Sequence, residues 1–286
     1  MKKHFYLLGI LCAAALFFTA CSKDDDDSRG ASHITAGDIE MPALKGGSSL
    51  LITHYAEMTP GNRAINYRVE WDTEKRSQRW TCYKMYRSIN GGSSSRTSGT
   101  YPNDPELPSQ YHIKNDPYWG TGYDHGHICP NADRKSSYEA NYQTFYLTNM
   151  QPQGGKNKND FNGGIWATME GKVRSWAAKF DTLYVCKGGT IDSEANIIEY
   201  IGSGDSRIPV PRYFFMAVVG RYKDSFRATG LWINQEAFYS YSVQSYSVTI
   251  GELQRLTGID FFHHLPDDLE SQIENVDKAQ MLYEWY

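Results

Sequence analysis

The spacing of apolar and polar residues predicts a domain of mixed α and β structure. Runs rich in β-branched and aromatic side chains are typical of strands, and they occur at residues 67–71, 80–86, 182–186, 213–219 and 227–233. Across residues 161–180 the apolar side chains recur at three- and four-residue intervals, which predicts one face of an amphipathic helix. A second helix is predicted from Thr249, which forms a capping-box pattern with Glu252, to Gly258.

The order of these segments indicates an α+β fold. Strands come before and after the long helix, which differs from the regular alternation of a βαβ fold. Roughly 240 residues, from 46 to 286, fit one domain, and the sequence contains no internal repeat. A loop rich in glycine and serine at 91–95 and a proline-bearing stretch at 101–117 are predicted to be irregular.

The N-terminus carries a pattern typical of export. Two lysines precede an apolar run at residues 5–18, which is shorter than the ~20 residues that a membrane-spanning helix requires. The run ends at Cys21 in a pattern that resembles the lipobox of bacterial lipoproteins, although Phe18 replaces the usual aliphatic residue. Residues 1–20 are therefore predicted to be a lipoprotein signal peptide, with Cys21 as the lipidated first residue. An ordinary cleaved signal peptide is the alternative.

Residues 21–45 are predicted to form an acidic, flexible tether. Four consecutive aspartates at 24–27 cannot be buried together and favour a solvated segment. They also resemble the acidic tag that sends some Gram-negative lipoproteins to the outer face of the outer membrane, although a plain charged linker is an alternative. The expected location is therefore the cell envelope, at the outer membrane and exposed on the cell surface, with a membrane contact through the lipid on Cys21.

The overall charge restricts how the chain could contact a polyanion. The sequence has 29 Lys and Arg against 33 Asp and Glu, a net charge of −4, which argues against coating nucleic acid by bulk positive charge. Residues 121–180 are locally different, with seven bases against five acids. The three cysteines beyond the predicted lipidation site Cys21, which are Cys82, Cys129 and Cys186, include no CxxC pair, and buried free thiols are expected.

Three polar segments carry most of the candidate chemistry. They are Asp-His-Gly-His-Ile-Cys-Pro at 124–130, Thr-Asn-Met-Gln-Pro-Gln at 148–153, and Phe-Asn-Gly-Gly-Ile-Trp at 161–166, with Glu170 on the same predicted helix. The His-Gly-His pair alone would be compatible with a metal site. It lacks the acid and the third ligand that a zinc site would need nearby.

Together these segments resemble the DNA/RNA non-specific endonuclease family of the ββα-metal type, the group that includes mitochondrial endonuclease G. That family carries Asp-Arg-Gly-His, then Asn-x-x-Pro-Gln, then Asn with Trp four and Glu eight residues later, a spacing that Asn162, Trp166 and Glu170 keep. The similarity covers most of residues 50–275. It implies a central antiparallel sheet with flanking helices, cleavage of DNA and RNA to 5′-phosphate products, and one Mg²⁺ ion, for which Mn²⁺ can substitute.

The principal roles can be assigned by chemistry beside this resemblance. Phosphodiester hydrolysis needs a base to activate water and a cation near the phosphate. His127 is the predicted base, because neutral imidazole is available near pH 7. Asn162 matches the metal-binding asparagine of the family. On an α-helix Glu170 would lie about 12 Å further along the axis, so it is predicted to contact a metal-bound water rather than the ion.

Several cationic side chains are candidates for contact with the phosphate. Arg174 matches a basic residue of the family, and Arg96 aligns with its loop arginine; both are predicted to stabilise transition-state charge. Ordinary surface arginines are the alternative at both positions. Lys156 and Lys158 lie in an insertion at 154–159 that is suited to phosphate contact.

Three further polar residues complete the predicted site. His125 stands where most of the family has arginine, so its contribution to substrate binding is predicted to depend on pH. Asn149 is assigned to the catalytic residues and Gln153 to the substrate-binding residues. Both are predicted to orient the base or the bound water. Buried amides that stabilise the turn explain both nearly as well.

Two other functions are open at this point. A catalytically weak surface lipoprotein that binds nucleic acid is compatible with histidine at position 125. A carbohydrate-binding or adhesion protein would account for the 21 tyrosines, and it predicts that His127 and Asn162 lie far apart. The sequence leaves the oligomeric state and the preference between DNA and RNA undetermined.

Overall fold

The computed structural model describes residues 38–89, 92–96 and 99–286. Within these ranges the strands are β1 (Ser49–Thr59), β2 (Asn62–Asp72), β3 (Ser77–Met85), β4 (Tyr123–His127), β5 (Met150–Gly154), β6 (Thr182–Gly189), β7 (Ile197–Ile201), β8 (Ile208–Pro211), β9 (Tyr213–Tyr222), β10 (Ser225–Asn234) and β11 (Ser247–Val248). The α-helices are α1 (Tyr138–Gln143), α2 (Ala167–Ala177), α3 (Ile250–Thr257), α4 (Asp267–Glu274) and α5 (Lys278–Trp285), and a π-helical turn, Asn162–Trp166, directly precedes α2. Short 3₁₀ turns occur at Ser109–Tyr111, Asn131–Asp133, Leu147–Asn149, Glu194–Asn196, Gly204–Ser206 and Val243–Tyr246.

A seven-stranded antiparallel sheet forms the centre of the fold, in the order β1-β2-β3-β6-β9-β10-β11. Two small antiparallel hairpins, β4–β5 and β7–β8, lie outside it. All five predicted strands belong to the central sheet. The edge strand β1 was not predicted. Its residues alternate between buried and more exposed positions only beyond the start of the strand. The predicted α+β class, with a central antiparallel sheet and flanking helices, is confirmed.

Helices cover both faces of the central sheet. Alternate residues of β9 point to opposite sides, as strand geometry requires: Phe214, Met216 and Val218 pack in the core formed with α2 and α5, whereas Phe215, Ala217 and Val219 pack in the core formed with α3 and α4. Burial on both faces makes such a strand read as a continuous apolar run, which is why it could be recognised in the sequence.

Both predicted helices are present, with one change in the first. Its first turn is π-helical, with the Trp166 amide donating to the Phe161 carbonyl at 3.0 Å, and α2 ends at Ala177. Phe180 therefore lies beyond the helix that was predicted to contain it. The second helix begins and ends as predicted, because the Thr249 hydroxyl accepts from the Glu252 amide and Gly258 adopts a left-handed conformation.

The folded domain begins before the predicted boundary at residue 46. Asp38 and Glu40 are buried, and both pair with the buried Arg68 of β2, at 2.9 Å and 3.5 Å. The end of the predicted tether is therefore part of the domain, since its carboxylates pair with a cation inside the fold. Burial raises the pKa of Glu40, and the positive charge of Lys84 opposes that shift.

Arg68→Ala is expected to lower the free energy of unfolding by about 3–5 kcal/mol, because it leaves two buried carboxylates without their main partner. Urea unfolding, followed by circular dichroism, measures this change. The matched control is Arg63→Ala, which removes an arginine whose ion pair with Glu139 is exposed at the surface and should leave the midpoint nearly unchanged. Equal midpoints for the two variants would contradict the structural role of Arg68.

The predicted signal peptide, the lipidation site Cys21 and the aspartates at 24–27 lie outside the described residues. Among the residues that are described, no helix is long and apolar enough to cross a membrane. Cys82, Cys129 and Cys186 are free and buried, as expected, and burial raises the pKa of each thiol.

Candidate active site

The polar motifs meet at one cleft of about 770 Å³ beside the β4–β5 hairpin. Strand β4 carries the His-Gly-His segment, β5 pairs with it antiparallel, and the π-helical turn with α2 supplies the opposite wall. Six predicted site residues line this cleft: Arg96, His125, His127, Lys156, Asn162 and Glu170. The structure thus brings together side chains that are separated by up to 74 positions in the sequence.

His127 presents an imidazole whose Nε2 has no protein partner in the described part of the chain. Its Nε2 has almost no contact with solvent and finds no hydrogen-bond partner among the described residues. Burial, followed by the positive charge of Arg96, lowers the pKa of His127 to about 3, against the opposing effect of a backbone hydrogen bond with His125. The ring is therefore neutral at pH 7, which is the state that can accept a proton.

Arg96 is held beside this base. Its guanidinium lies 4.9 Å from the centre of the Phe145 ring, and Nη2 donates to the Tyr101 hydroxyl at 3.2 Å. The Phe145 ring also contacts His127 edge to face, with centroids 5.0 Å apart. A shared aromatic support therefore places a permanent cation near the imidazole, where a phosphate can contact both.

Asn162 and Asp124 form the candidate metal-binding pair. The Asn162 Nδ2 donates to Asp124 Oδ2 at 3.0 Å, which directs the amide oxygen away from that contact and leaves it free for a cation. An amide oxygen, a carboxylate and further water ligands are the donors that Mg²⁺ prefers, so these residues fit the ion. Asp124 was not among the predicted site residues, although its place beside the two histidines was a usable signal.

Glu170 lies above a buried lysine. Its Oε1 is 3.6 Å from Nζ of Lys187, which is completely buried in β6 and lies 5.6 Å from the ring centres of Tyr83 and Trp166. Burial raises the pKa of Glu170 to about 7, although Lys187 opposes the rise. Lys187 was not predicted either; a single cation within an apolar strand was the only sign of it in the sequence.

His125 is enclosed between two tyrosine rings. Its ring centre is 3.8 Å from that of Tyr101 and 3.9 Å from that of Tyr118, and its Nε2 lies 3.1 Å from Asp116 Oδ1. Burial lowers the pKa of His125, while Asp116 acts in the opposite direction. The side chain lines the cleft, but its ring faces are occupied, so only its edge can meet a substrate.

Two predicted phosphate contacts are not brought to the cleft. Arg174 donates to Asp133 at 2.9 Å and lines a neighbouring cavity, from which its charge acts on Glu170. Lys158 lies 4.2 Å from the centre of the Tyr123 ring and 3.4 Å from a carboxylate oxygen of Glu199. The acidic partners of both cations hold them outside the cleft. The spacing of the motifs in the sequence does not reveal such partners, because Asp133 and Glu199 lie 41 residues from the cations that they contact.

Asn149 and Gln153 are buried and are not among the residues that line the cleft. Asn149 is buried and uses its amide entirely on backbone groups, accepting from Cys129 N and donating to the carbonyls of Cys129 and Thr144. Gln153 is equally buried beneath Gly126. The contacts of Asn149 fit the alternative of a buried amide that stabilises the turn. The Oε1 and Nε2 atoms of Gln153 find no hydrogen-bond partner among the described residues.

The geometry of the cleft defines a class of protein. An antiparallel hairpin bearing the histidine, followed by a helix bearing the asparagine and the glutamate, is the ββα-metal nuclease arrangement. Because His127 and Asn162 line one cleft, the structure contradicts what a carbohydrate-binding or adhesion protein predicts for these residues.

Comparison with known proteins gives the family. The model of the DNA/RNA non-specific endonuclease family matches residues 51–268, and the chain belongs to this family. It is 28% identical over 219 residues to "Nuclease EXOG, mitochondrial" of Xenopus laevis, covering 73% of this chain and 60% of that protein. It is 25% identical over 234 residues to a nuclease of Nostoc sp., covering 77% and 80% of the two chains.

The fold has a solved counterpart. A chain in the crystal structure of the EndoG/EndoGI complex superposes with a TM-score of 0.61 at 22% identity, covering 71% of this chain and 85% of the other. The present chain spans about three fifths of the length of the vertebrate EXOG proteins that it matches.

Proposed function

We propose that this protein is a sequence-nonspecific endonuclease that hydrolyses phosphodiester bonds of DNA and RNA. The observation that carries the proposal is the shared cleft, which is lined by Asn162, Asp124 and Glu170 together with His127, whose buried Nε2 has no partner among the residues that the structure describes. The sequence contains no zinc-finger, helix-turn-helix or RNP motif that would read base edges, which favours contact with the backbone.

His127 acts as the general base in this proposal. Its Nε2 takes a proton from the water whose oxygen attacks the phosphorus, and the bond from phosphorus to the 3′ oxygen breaks. The leaving 3′ oxygen takes up a proton from solvent, which gives a 5′-phosphate and a 3′-hydroxyl. The negative charge of a bound phosphate offsets the positive charge of the Arg96 guanidinium. The pKa of His127 therefore rises when substrate binds, which strengthens the base at the moment it is needed.

Asn162 and Asp124 would hold one Mg²⁺ ion, with Mn²⁺ as a possible replacement. The bound ion would neutralise charge on the phosphate and stabilise the leaving oxygen. Glu170 would accept a hydrogen bond from a water of that ion, and Arg96 would bind a phosphate oxygen. Lys156, at the margin of the cleft, would contact the neighbouring phosphate.

The proposed location is the cell envelope. The lipobox pattern supports export and attachment through a lipid on Cys21, and the acidic segment after it supports display at the outer membrane, with environmental DNA and RNA as substrates. Metabolic labelling with palmitate tests this proposal: label on the wild type and none on Cys21→Ser is expected, and equal labelling would exclude the anchor.

Digestion of supercoiled plasmid and of transfer RNA tests the activity. Cleavage of both is expected with Mg²⁺ and none with excess EDTA. The chelator should remove the ion readily, because the protein would hold it through only two side chains, Asn162 and Asp124. The products should accept a labelled phosphate from a kinase only after phosphatase treatment. Binding of both nucleic acids without cleavage would instead support the catalytically weak lipoprotein.

A further inference from the structure

An exposed tryptophan stands at the margin of the active-site cleft. Trp119 has 91% of its surface exposed, and it lines the same cleft as His127 and Glu170. A single exposed apolar side chain is normal on a protein surface, so it is the position of Trp119 in the wall of the cleft that distinguishes it. Phe238 and Tyr283 are also highly exposed but do not line this cleft.

The backbone beneath Trp119 is fixed. The Tyr118 carbonyl accepts from the Thr121 amide at 3.1 Å and from the Thr121 hydroxyl at 2.7 Å, and Gly120 has a φ of +75°. These features define a type II turn with Trp119 at its second position. Tyr118 itself is buried, and its amide donates to Asp116 at 3.0 Å, so the turn presents the indole outward from a rigid base.

The surroundings suit one chemical class of ligand. Arg96 and Lys156 place two positive charges in a cleft wall that also holds the carboxylates of Asp116, Asp124 and Glu170, and these cations can contact a phosphate backbone. Both faces of the His125 ring are covered, by Tyr101 and Tyr118. Trp119 therefore offers a free aromatic face beside a path for phosphates. Aromatic faces next to a cationic groove bind unstacked nucleobases.

We propose that Trp119 stacks on an unpaired base of the strand being cut, so that the enzyme favours single strands and loops over continuous duplex. Bases within a duplex are covered on both faces by their neighbours, so the indole cannot reach them without unstacking. This inference rests on the proposed nuclease function and assigns the substrate form that the same site prefers.

Binding without cleavage tests the contact directly. Full-length protein is titrated in EDTA with a ten-residue oligothymidylate and with an oligomer of the same length made of abasic sugar phosphate. The wild type is expected to bind the oligothymidylate about tenfold more tightly than the abasic oligomer. Trp119→Ala should remove this difference, Trp119→Phe should restore most of it, and the control Tyr283→Ala should keep it. An unchanged difference in Trp119→Ala overturns the proposal, as does equal weakening of both oligomers.

Cleavage kinetics separate this inference from the proposed function. With Mg²⁺, Trp119→Ala should raise KM for single-stranded DNA about tenfold, leave kcat near the wild-type value and leave duplex cleavage unchanged. If the wild type cleaves nothing, the nuclease function fails while the binding comparison still decides the stacking contact. If the wild type cleaves and the variant loses activity equally on both substrates, the stacking proposal alone fails.

Discussion

His127→Ala is expected to reduce the rate of phosphodiester cleavage by about 10²–10⁴-fold, with little change in the affinity for nucleic acid. The cleft would keep its cations, and only the group that accepts the proton would be lost. Initial rates on plasmid and on RNA, measured at saturating substrate and Mg²⁺, give the size of the effect.

The control for this experiment is a histidine outside the cleft. His263→Ala removes an imidazole near helix α4 and should cleave at the wild-type rate. Added imidazole should restore part of the activity of His127→Ala, because it can replace the missing base. It should not restore activity that was lost for another reason, such as misfolding. A His127→Ala rate within threefold of the wild type would exclude His127 as the base.

The acid limb of the pH profile is expected to belong to Glu170 rather than to the histidine. His127 is neutral at all pH values above about 3, whereas the pKa of Glu170 is about 7 in the free protein. The carboxylate that orients a metal-bound water is therefore lost as the pH falls through this range. Activity should rise with pH to a plateau, with a midpoint at or below 7, because a bound cation stabilises the carboxylate.

Two substitutions test this assignment. Glu170→Gln should lower the plateau rate by about 10–100-fold and remove the acid limb. Lys187→Met takes away the buried positive charge 3.6 Å from the carboxylate, so the pKa of Glu170 should rise and the midpoint should move to higher pH. At pH values well below the midpoint, the rate should fall about tenfold for each unit of that movement.

Profiles of kcat/KM between pH 5 and 9, at constant Mg²⁺ and ionic strength, decide the outcome. Lys179→Met removes an exposed lysine beyond helix α2 and should leave the midpoint in place. If the limb persists in Glu170→Gln, another group sets it. If Lys187→Met lowers the plateau without moving the midpoint, the lysine supports the fold and not the charge of Glu170.

The parts of the fold that depend on local pattern could be predicted. The limits of helix α3 follow from Thr249 and Gly258, and the strands of the central sheet follow from apolar runs. The π-helical turn could not be foreseen, since Gly163 and Gly164 are compatible with several backbone geometries. The burial of Asp38 also could not be foreseen, because its partner Arg68 lies 30 residues away and both types of side chain are usually exposed.

In the candidate site, too, features that depend on local pattern could be predicted and contacts between distant segments could not. Motif spacing placed His127, Asn162 and Glu170 together, because each belongs to a short segment with a recognisable order. Spacing could not show that Arg174 and Lys158 already have acidic partners outside the cleft. It also could not show that Lys187 lies beneath Glu170, since that contact joins a helix to a strand of the central sheet.

Strand β4 limits which positions of the site can change. His125 and His127 point into the cleft, so Gly126 between them points inward, where an added Cβ would lie 2.3 Å from the buried side chain of Gln153. An exchange at position 125 alters a side chain that lines the cleft with its edge. Any side chain at position 126 would push the whole strand outward and move the base with it. The chemistry of the cleft can therefore be retuned at one residue while its neighbour is restricted to glycine by volume alone.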